Sequence, residues 1–110
     1  MHVVYRLAKT PTSHMGLFTD GTMDDVPRIK CWHPGYRPNP WQDGDGICYD
    51  QHCAFASLEQ YRDWFRYPEQ RARVTMWVLT VSEVTHLGHQ SLFRLADVID
   101  HRPATPEEYL

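Results

Sequence analysis

The sequence has few cysteines, little net charge and no long hydrophobic run. Three cysteines among 110 residues are too few, and odd in number, for a disulfide framework, so reduced thiols are the simplest interpretation. No stretch approaches the roughly 18 apolar residues that a membrane span needs. Residues 1–6 contain no basic segment followed by a long apolar run, so a signal peptide is not expected. These absences predict a cytoplasmic protein that does not enter a membrane.

The net charge argues against a protein that binds nucleic acid. Eleven basic residues against 14 acidic residues give a formal charge of −3. Proteins that bind nucleic acid through bulk electrostatics are usually basic, so direct nucleic-acid binding is not expected. Arginine greatly outnumbers lysine. This bias suits sites that grip a carboxylate or a phosphate, but codon usage is the favoured explanation.

Length and composition favour one globular domain. The hydrophobic fraction of 42% and the aromatic fraction of 13% are typical of folded proteins of this size. Alternation and β-branched residues predict strands at 3–7, 47–49, 53–55, 74–81 and 90–95. The continuous apolar run at 74–81 is typical of a central, buried strand. A turn at 86–89 would join that strand to 90–95 in a hairpin.

One main helix is predicted after the strand at 53–55. Ser57 and Gln60 have the spacing of a capping box, in which a serine accepts a backbone hydrogen bond at the helix start. The apolar residues that follow share one helical face: Leu58, Tyr61, Trp64 and Phe65. Pro68 ends the helix.

The segment 31–46 contains three prolines, three glycines and three large aromatic residues. Proline and glycine prevent regular structure, whereas the aromatic side chains favour burial. We therefore expect a long ordered loop over the domain. The predicted fold is α+β, with a small mixed or antiparallel sheet, one main helix and this loop. The domain would span residues 1–100, followed by an exposed tail at 101–110.

Motifs for metal binding and for common catalytic chemistry are weak. Five possible zinc ligands lie within 23 residues: Cys31, His33, Cys48, His52 and Cys53. They do not have the spacing of zinc knuckles, so a zinc site is not expected. The acidic residues at 43–46 lack the remaining oxygen ligands of a calcium loop, and they are interpreted as a turn. The sequence has no nucleophile elbow, dinucleotide-binding glycine motif or phosphate-binding loop. No metal site is predicted.

Several short motifs together resemble a known group of proteins. They are Tyr5-Arg6, residues 16–18, residues 53–60 with Trp64-Phe65, and residues 88–93, in that order. This order resembles small uncharacterised phage and prophage proteins with a reduced ADP-ribosyltransferase-like core. The similarity covers most of residues 3–95.

The resemblance implies a site for NAD. Arg6 would hold the phosphates or a ribose, and Ser57 would support the nicotinamide side. Gln90 would occupy the position where active transferases carry a glutamate, but it cannot supply that charge. The resemblance thus implies Arg6, Ser57 and Gln90 as catalytic residues. From the residues alone, a solvated arginine and an ordinary helix-capping serine are the favoured explanation of Arg6 and Ser57.

Aromatic side chains would complete the NAD site, with Tyr5, Trp32 or Trp41 stacking on a ring of the dinucleotide. The expected function is that of a phage accessory protein that modifies a host macromolecule in the host cytoplasm. The alternative is a non-catalytic phage protein that binds and inhibits a host defence or transcription complex. The loop at 31–46 would be its interface, since Trp, Tyr and Arg dominate binding hot spots. A small structural domain is a third interpretation.

Overall fold

The computed structural model describes residues 1–17, 20–23, 51–87 and 90–110. Within these residues the chain forms six strands, three α-helices and one 3-10 turn. In chain order the elements are β1 (His2–Leu7), β2 (Gln51–Ala54), α1 (Leu58–Trp64), α2 (Pro68–Arg71), β3 (Met76–Val81), β4 (Thr85–Leu87), β5 (Gln90–Arg94), the 3-10 turn (Leu95–Asp97), β6 (Val98–Pro103) and α3 (Pro106–Tyr109).

The strands form two antiparallel sheets of three strands each. The first sheet has the order β1-β3-β6, and the second has the order β2-β5-β4. A bridge joins them, because the backbones of Tyr5 and Phe55 exchange two hydrogen bonds of 2.8 and 2.9 Å. The α+β prediction is therefore confirmed. The single small sheet that was expected is instead two sheets, and two short helices accompany α1.

The predicted hairpin between 74–81 and 90–95 is wrong. β3 is the central strand that its apolar run predicts, but β1 and β6 lie on its two sides. With both edges of β3 occupied, β5 pairs with β2 and β4 instead. Residues 85–87, where the start of a turn was expected, form β4 and supply the hairpin partner.

Side chains of the first sheet are buried on both of its faces. One face packs against the second sheet, and its buried cluster contains Val4, Ala54, Leu79, Val81 and Phe93. The opposite face packs against α1 in a second cluster, built from Leu7, Leu17, Met23, Phe55, Tyr61, Trp64, Phe65, Val74 and Met76. The first sheet is thus the middle layer, between the second sheet and α1.

The start of α1 agrees with the capping prediction. Ser57 Oγ accepts a hydrogen bond of 3.1 Å from the backbone N–H of Gln60. The Gln60 side chain reaches back, and its Oε1 accepts from the backbone N–H of Ala56 at 2.9 Å. The helix ends at Trp64, before Pro68, which begins α2. The amphipathic face is confirmed, since Tyr61 and Trp64 are buried on it.

Residues 101–110 differ from the expected exposed tail. β6 crosses the predicted boundary at residue 100 and pairs with β3 along Trp77–Val81. α3 follows at Pro106–Tyr109. Most of the side chains are exposed, but the backbone of this segment is part of the folded domain.

Side chains of α1 and α2 hold α3 in place. The last carbonyls of a helix have no donors within the helix. Here Tyr61 Oη donates to the carbonyl of Tyr109 at 2.6 Å, and Arg71 Nε donates to that of Leu110 at 2.7 Å. Arg62 donates to two further carbonyls in α3. These contacts explain why residues 101–110 are held against the domain although the segment contains two prolines.

An acidic residue of α3 predicts a small acid dependence of stability. Glu108 accepts hydrogen bonds of 2.7 and 2.9 Å from Arg102, which, with a bond from the Thr105 backbone, lowers its pKa from 4.5 to about 2. A carboxyl whose pKa is lower in the folded state stabilises the fold above its ordinary pKa, and loses that contribution as pH falls towards 2. We expect Glu108→Gln to remove this dependence. The shift in urea midpoint should be only about 0.2–0.5 M, because the pair is near the surface.

The measurement is urea unfolding at pH 6, 4 and 3 for the native protein and the variant. Glu107→Gln, the matched change one residue earlier, should retain the native pH dependence. Equal acid sensitivity of all three proteins would show that the Arg102–Glu108 pair contributes nothing measurable.

Candidate functional site

Arg6 lies in the interior between the two sheets. Alternation along β1 places its side chain on the same face as Val4, towards the second sheet. Only 2% of Arg6 is exposed. Its guanidinium carbon lies 5.3 Å from the centroid of the Phe93 ring, in a cation–π contact. The chain therefore buries an arginine in the middle of an apolar layer.

The hydrogen bonds of Arg6 leave one of its three nitrogen atoms without an acceptor, and they give the positive charge no anionic partner. Nη2 donates to the carbonyl of Ser13 at 2.9 Å, and Nη1 makes a long contact of 3.5 Å with the carbonyl of Cys53. Nε is buried and has no acceptor among the described residues. No carboxylate among the described residues forms an ion pair with Arg6. Carbonyl oxygens accept hydrogen bonds but do not neutralise a cation.

Burial is the main influence on the protonation of Arg6. It lowers the pKa of the guanidinium from 12.5 to about 10, while the nearby Cys53 thiol acts in the opposite direction. Arg6 is still protonated at neutral pH, so the fold holds a desolvated cation. Buried charges are usually paired, because the cost of leaving one unpaired is several kcal/mol.

Two histidine rings connect Arg6 with the surface. The rings of His52 and Phe93 have centroids 5.9 Å apart, and those of His14 and His52 lie 5.6 Å apart. His14 is exposed and His52 is half-buried. The rings thus form a continuous row from solvent to the buried guanidinium.

The other predicted site residues lie elsewhere. Tyr5 points to the opposite face of β1 and packs with the α1 cluster. Ser57 is exposed at the start of α1, where its hydroxyl caps the helix. Gln90 is buried, 2% exposed, and alternation along β5 places it on the opposite side of the second sheet from Phe93. Arg6 donates no hydrogen bond to Ser57 or Gln90, so these residues do not form one hydrogen-bonded cluster.

Several predictions fall on residues outside the described ones. They concern the stacking residues Trp32 and Trp41, and the inhibitor interface at 31–46. The strand at 47–49 and the possible zinc ligands Cys31, His33 and Cys48 lie outside them too. Within residues 1–17, 20–23, 51–87 and 90–110, no group of three or more His, Cys, Asp or Glu side chains is placed to hold a metal ion. In the same residues, no helix is both long and apolar enough to cross a membrane.

Sequence reasoning missed the residues that surround Arg6: His14, His52, Trp77 and Phe93. The surroundings depend on which strands pair and in which register, and these pairings join distant parts of the chain. One local signal was available. Arg6 is the only charged residue in the apolar strand 3–7, a pattern that indicates a buried charge.

The comparison with known families adds one finding. The family model described as Bacteriophage T4 Y00F protein matches residues 1–104. The chain belongs to this phage protein family. Neither a curated protein nor a solved structure matches the chain. The expected relationship to small phage proteins is therefore confirmed. The family description names no reaction or ligand, and no solved structure supports an ADP-ribosyltransferase-like fold.

Proposed function

We propose that this phage protein is an accessory protein that binds a phosphate-bearing ligand, NAD or another nucleotide, with Arg6 as the group that contacts the phosphate. One observation carries the proposal. Arg6 is a buried cation that has a free Nε donor and no ion pair among the described residues. A phosphate would supply both the missing acceptor and the missing negative charge.

The energetic cost of burying Arg6 favours a ligand over a purely structural role for this side chain. A lowering of the Arg6 pKa from 12.5 to about 10 corresponds to a cost of about 3 kcal/mol for keeping the buried side chain protonated. The short bond to the Ser13 carbonyl returns about 1.5–3 kcal/mol, because its donor is charged, and the 3.5 Å contact with the Cys53 carbonyl adds little. In an arginine that served only to join β1 to neighbouring segments, these contacts would at best offset the cost.

The residues at this site suit binding of the NAD phosphates better than they suit catalysis of ADP-ribose transfer. Transfer of ADP-ribose needs a group that stabilises developing positive charge, and Gln90 carries none. The Ser57 hydroxyl already accepts the capping bond of α1. The proposal therefore concerns binding, and modification of a host macromolecule is a further step that these residues do not support.

Ligand-dependent stabilisation tests the proposal. The melting temperature of the native protein would be measured during titrations with NAD, ADP and inorganic pyrophosphate, and with adenosine as the analogue without phosphate. At about 100 times Kd, binding adds about 2.7 kcal/mol, so we expect a rise of about 10 °C with at least one phosphate ligand and none with adenosine.

Two variants assign the effect. Arg6→Met should abolish the rise, since it removes the cation and the free donor. Arg66→Met is the matched control, because Arg66 lies on the surface in an ion pair with Asp63, and it should respond as the native protein does. An unchanged melting temperature with every phosphate ligand, or a rise that survives Arg6→Met, would overturn the proposal.

A further inference from the structure

A second buried donor lies beside Arg6. The antiparallel register of β1 and β3 pairs Arg6 with Trp77. Such pairs project from the same face of a sheet, with β-carbons about 4.5–5.5 Å apart. The Trp77 indole Nε1 is buried, and it has no acceptor among the residues that the structure describes. The same face therefore presents two neighbouring N–H groups, Arg6 Nε and Trp77 Nε1, that lack acceptors.

The indole of Trp77 is held in place. Its ring packs against the apolar cluster between the sheets, and the His101 ring meets it edge-on, with centroids 6.1 Å apart and an interplanar angle of 86°. Trp77 as a whole is half-buried, but its Nε1 lies on the buried side of the ring and does not face solvent. Since most buried polar groups in native proteins have partners, two such donors on paired residues indicate a shared acceptor.

The chemistry of the two donors restricts that acceptor. The Arg and Trp side chains donate hydrogen bonds and accept none. A water molecule would bring hydrogens of its own that need acceptors, and it would not neutralise the Arg6 charge. A carboxylate or phosphate offers several acceptor oxygens on one anionic group, and therefore satisfies both requirements.

We propose that Arg6 Nε and Trp77 Nε1 donate to the same oxyanion, so that the site recognises a ligand by a phosphate or carboxylate group. This inference rests on the proposed function, which it deepens by adding Trp77 as the second binding residue. The indole N–H of Trp77 is a neutral donor with a fixed direction. It would bind only an anion that places an oxygen along that direction, so it would favour oxyanions over other anions.

Nuclear magnetic resonance observes both donors directly. In ¹⁵N-labelled native protein, the Arg6 Nε–H and Trp77 Nε1–H signals would be assigned by their absence from Arg6→Met and Trp77→Phe. Inorganic pyrophosphate, acetate and adenosine would then be titrated separately. We expect both signals to move with one dissociation constant for pyrophosphate or acetate, and neither to move with adenosine.

Binding to the variants provides a second measurement. Trp77→Phe keeps an aromatic ring and removes the N–H, so the oxyanion affinity should fall about 5- to 30-fold. Trp64→Phe is the matched control. Trp64 lies in the cluster on the other side of the first sheet, and its substitution should leave the affinity unchanged.

The outcomes separate this inference from the proposed function. If the Arg6 signal moves and the Trp77 signal does not, the shared-acceptor inference is wrong and the role of Arg6 stands. If neither signal moves with any anion, both proposals fail. Native affinity in a folded Trp77→Phe protein would also overturn the inference. If that variant does not fold, the Trp77 signal is assigned in the native protein from nuclear Overhauser contacts of its indole N–H, and the titration of the native protein still decides the question.

Discussion

An Arg6→Met variant is expected to be more stable than the native protein in the absence of ligand, by up to about 1.5 kcal/mol. The substitution removes a buried charge that costs about 3 kcal/mol, from a pKa of about 10 against 12.5. Methionine keeps an unbranched apolar side chain of similar length, and its thioether packs well against an aromatic ring such as Phe93. The main loss is the 2.9 Å bond to the Ser13 carbonyl, worth about 1.5–3 kcal/mol because its donor is charged.

Urea unfolding at pH 7 measures this difference. The midpoint should rise in Arg6→Met with no change in the slope against denaturant, which would show that the compactness of the two states is unaltered. Arg66→Met should lie within about 0.5 kcal/mol of the native protein, as is usual for surface changes. If Arg6→Met lowered stability by more than 1 kcal/mol, the carbonyl bonds would outweigh the buried charge. The buried charge would then give no energetic reason to expect a bound anion.

The free energies of unfolding of the native protein and Arg6→Met should approach each other at alkaline pH. The pKa of Arg6 is lower in the folded state, so above pH 10 the native fold releases a proton that the unfolded chain retains. Stability rises with pH wherever the unfolded state binds more protons. The cost of the buried charge therefore declines as pH increases through about 10. Burial also raises the pKa of Tyr61, but this contribution is common to both proteins and cancels in the difference.

A gain in stability together with a loss of binding would identify Arg6 as a functional residue. Sites that bind charged ligands commonly hold groups that are unfavourable in the empty protein, and replacing such groups stabilises the fold at the expense of function. A structural arginine would behave in the opposite way, because its removal would weaken the contact between β1 and its neighbours and leave ligand binding unaffected.

Local signals were sufficient for the elements that depend on neighbouring residues. The capping pair Ser57 and Gln60 determines where α1 begins, and the apolar spacing that follows determines which face is buried. The β-branched run around Leu79 indicates a central strand. Each of these features depends on residues that are close together in the sequence, so it can be predicted from the sequence alone.

Pairing between distant segments could not be predicted in the same way. Whether β5 lies beside β3 or β2 depends on the competition among several strands for the same edge. The candidate site could not be predicted for the same reason, because Trp77 lies beside Arg6 only when β1 and β3 pair in this register. The resemblance named Arg6 as a site residue, and the structure places its side chain in the buried layer between the sheets. Its other predicted partners, Ser57 and Gln90, lie apart from it because strand alternation and the helix cap place them elsewhere.

Deletion of residues 105–110 is expected to destabilise the protein by about 2–4 kcal/mol. The deletion removes α3 and the carbonyl that accepts the 2.6 Å hydrogen bond from Tyr61, a residue that is fully buried. It also removes the apolar contact of Tyr109 with the α1 cluster. A lost hydrogen bond contributes about 1 kcal/mol, and the exposed apolar surface contributes most of the remainder. An exposed and mobile tail could be deleted at a cost of less than about 0.5 kcal/mol.

A double-mutant cycle shows whether the docking of α3 causes this effect. Tyr61→Phe in the full chain should cost about 1–2 kcal/mol, because the Tyr109 carbonyl loses its donor. In the deletion variant the same substitution should cost much less, since the acceptor is already absent. We expect a coupling of about 1 kcal/mol from urea unfolding of the four proteins. Additive effects would mean that Tyr61 and α3 stabilise the fold independently, and the hydrogen bond between them would not be the contact that holds this segment in place.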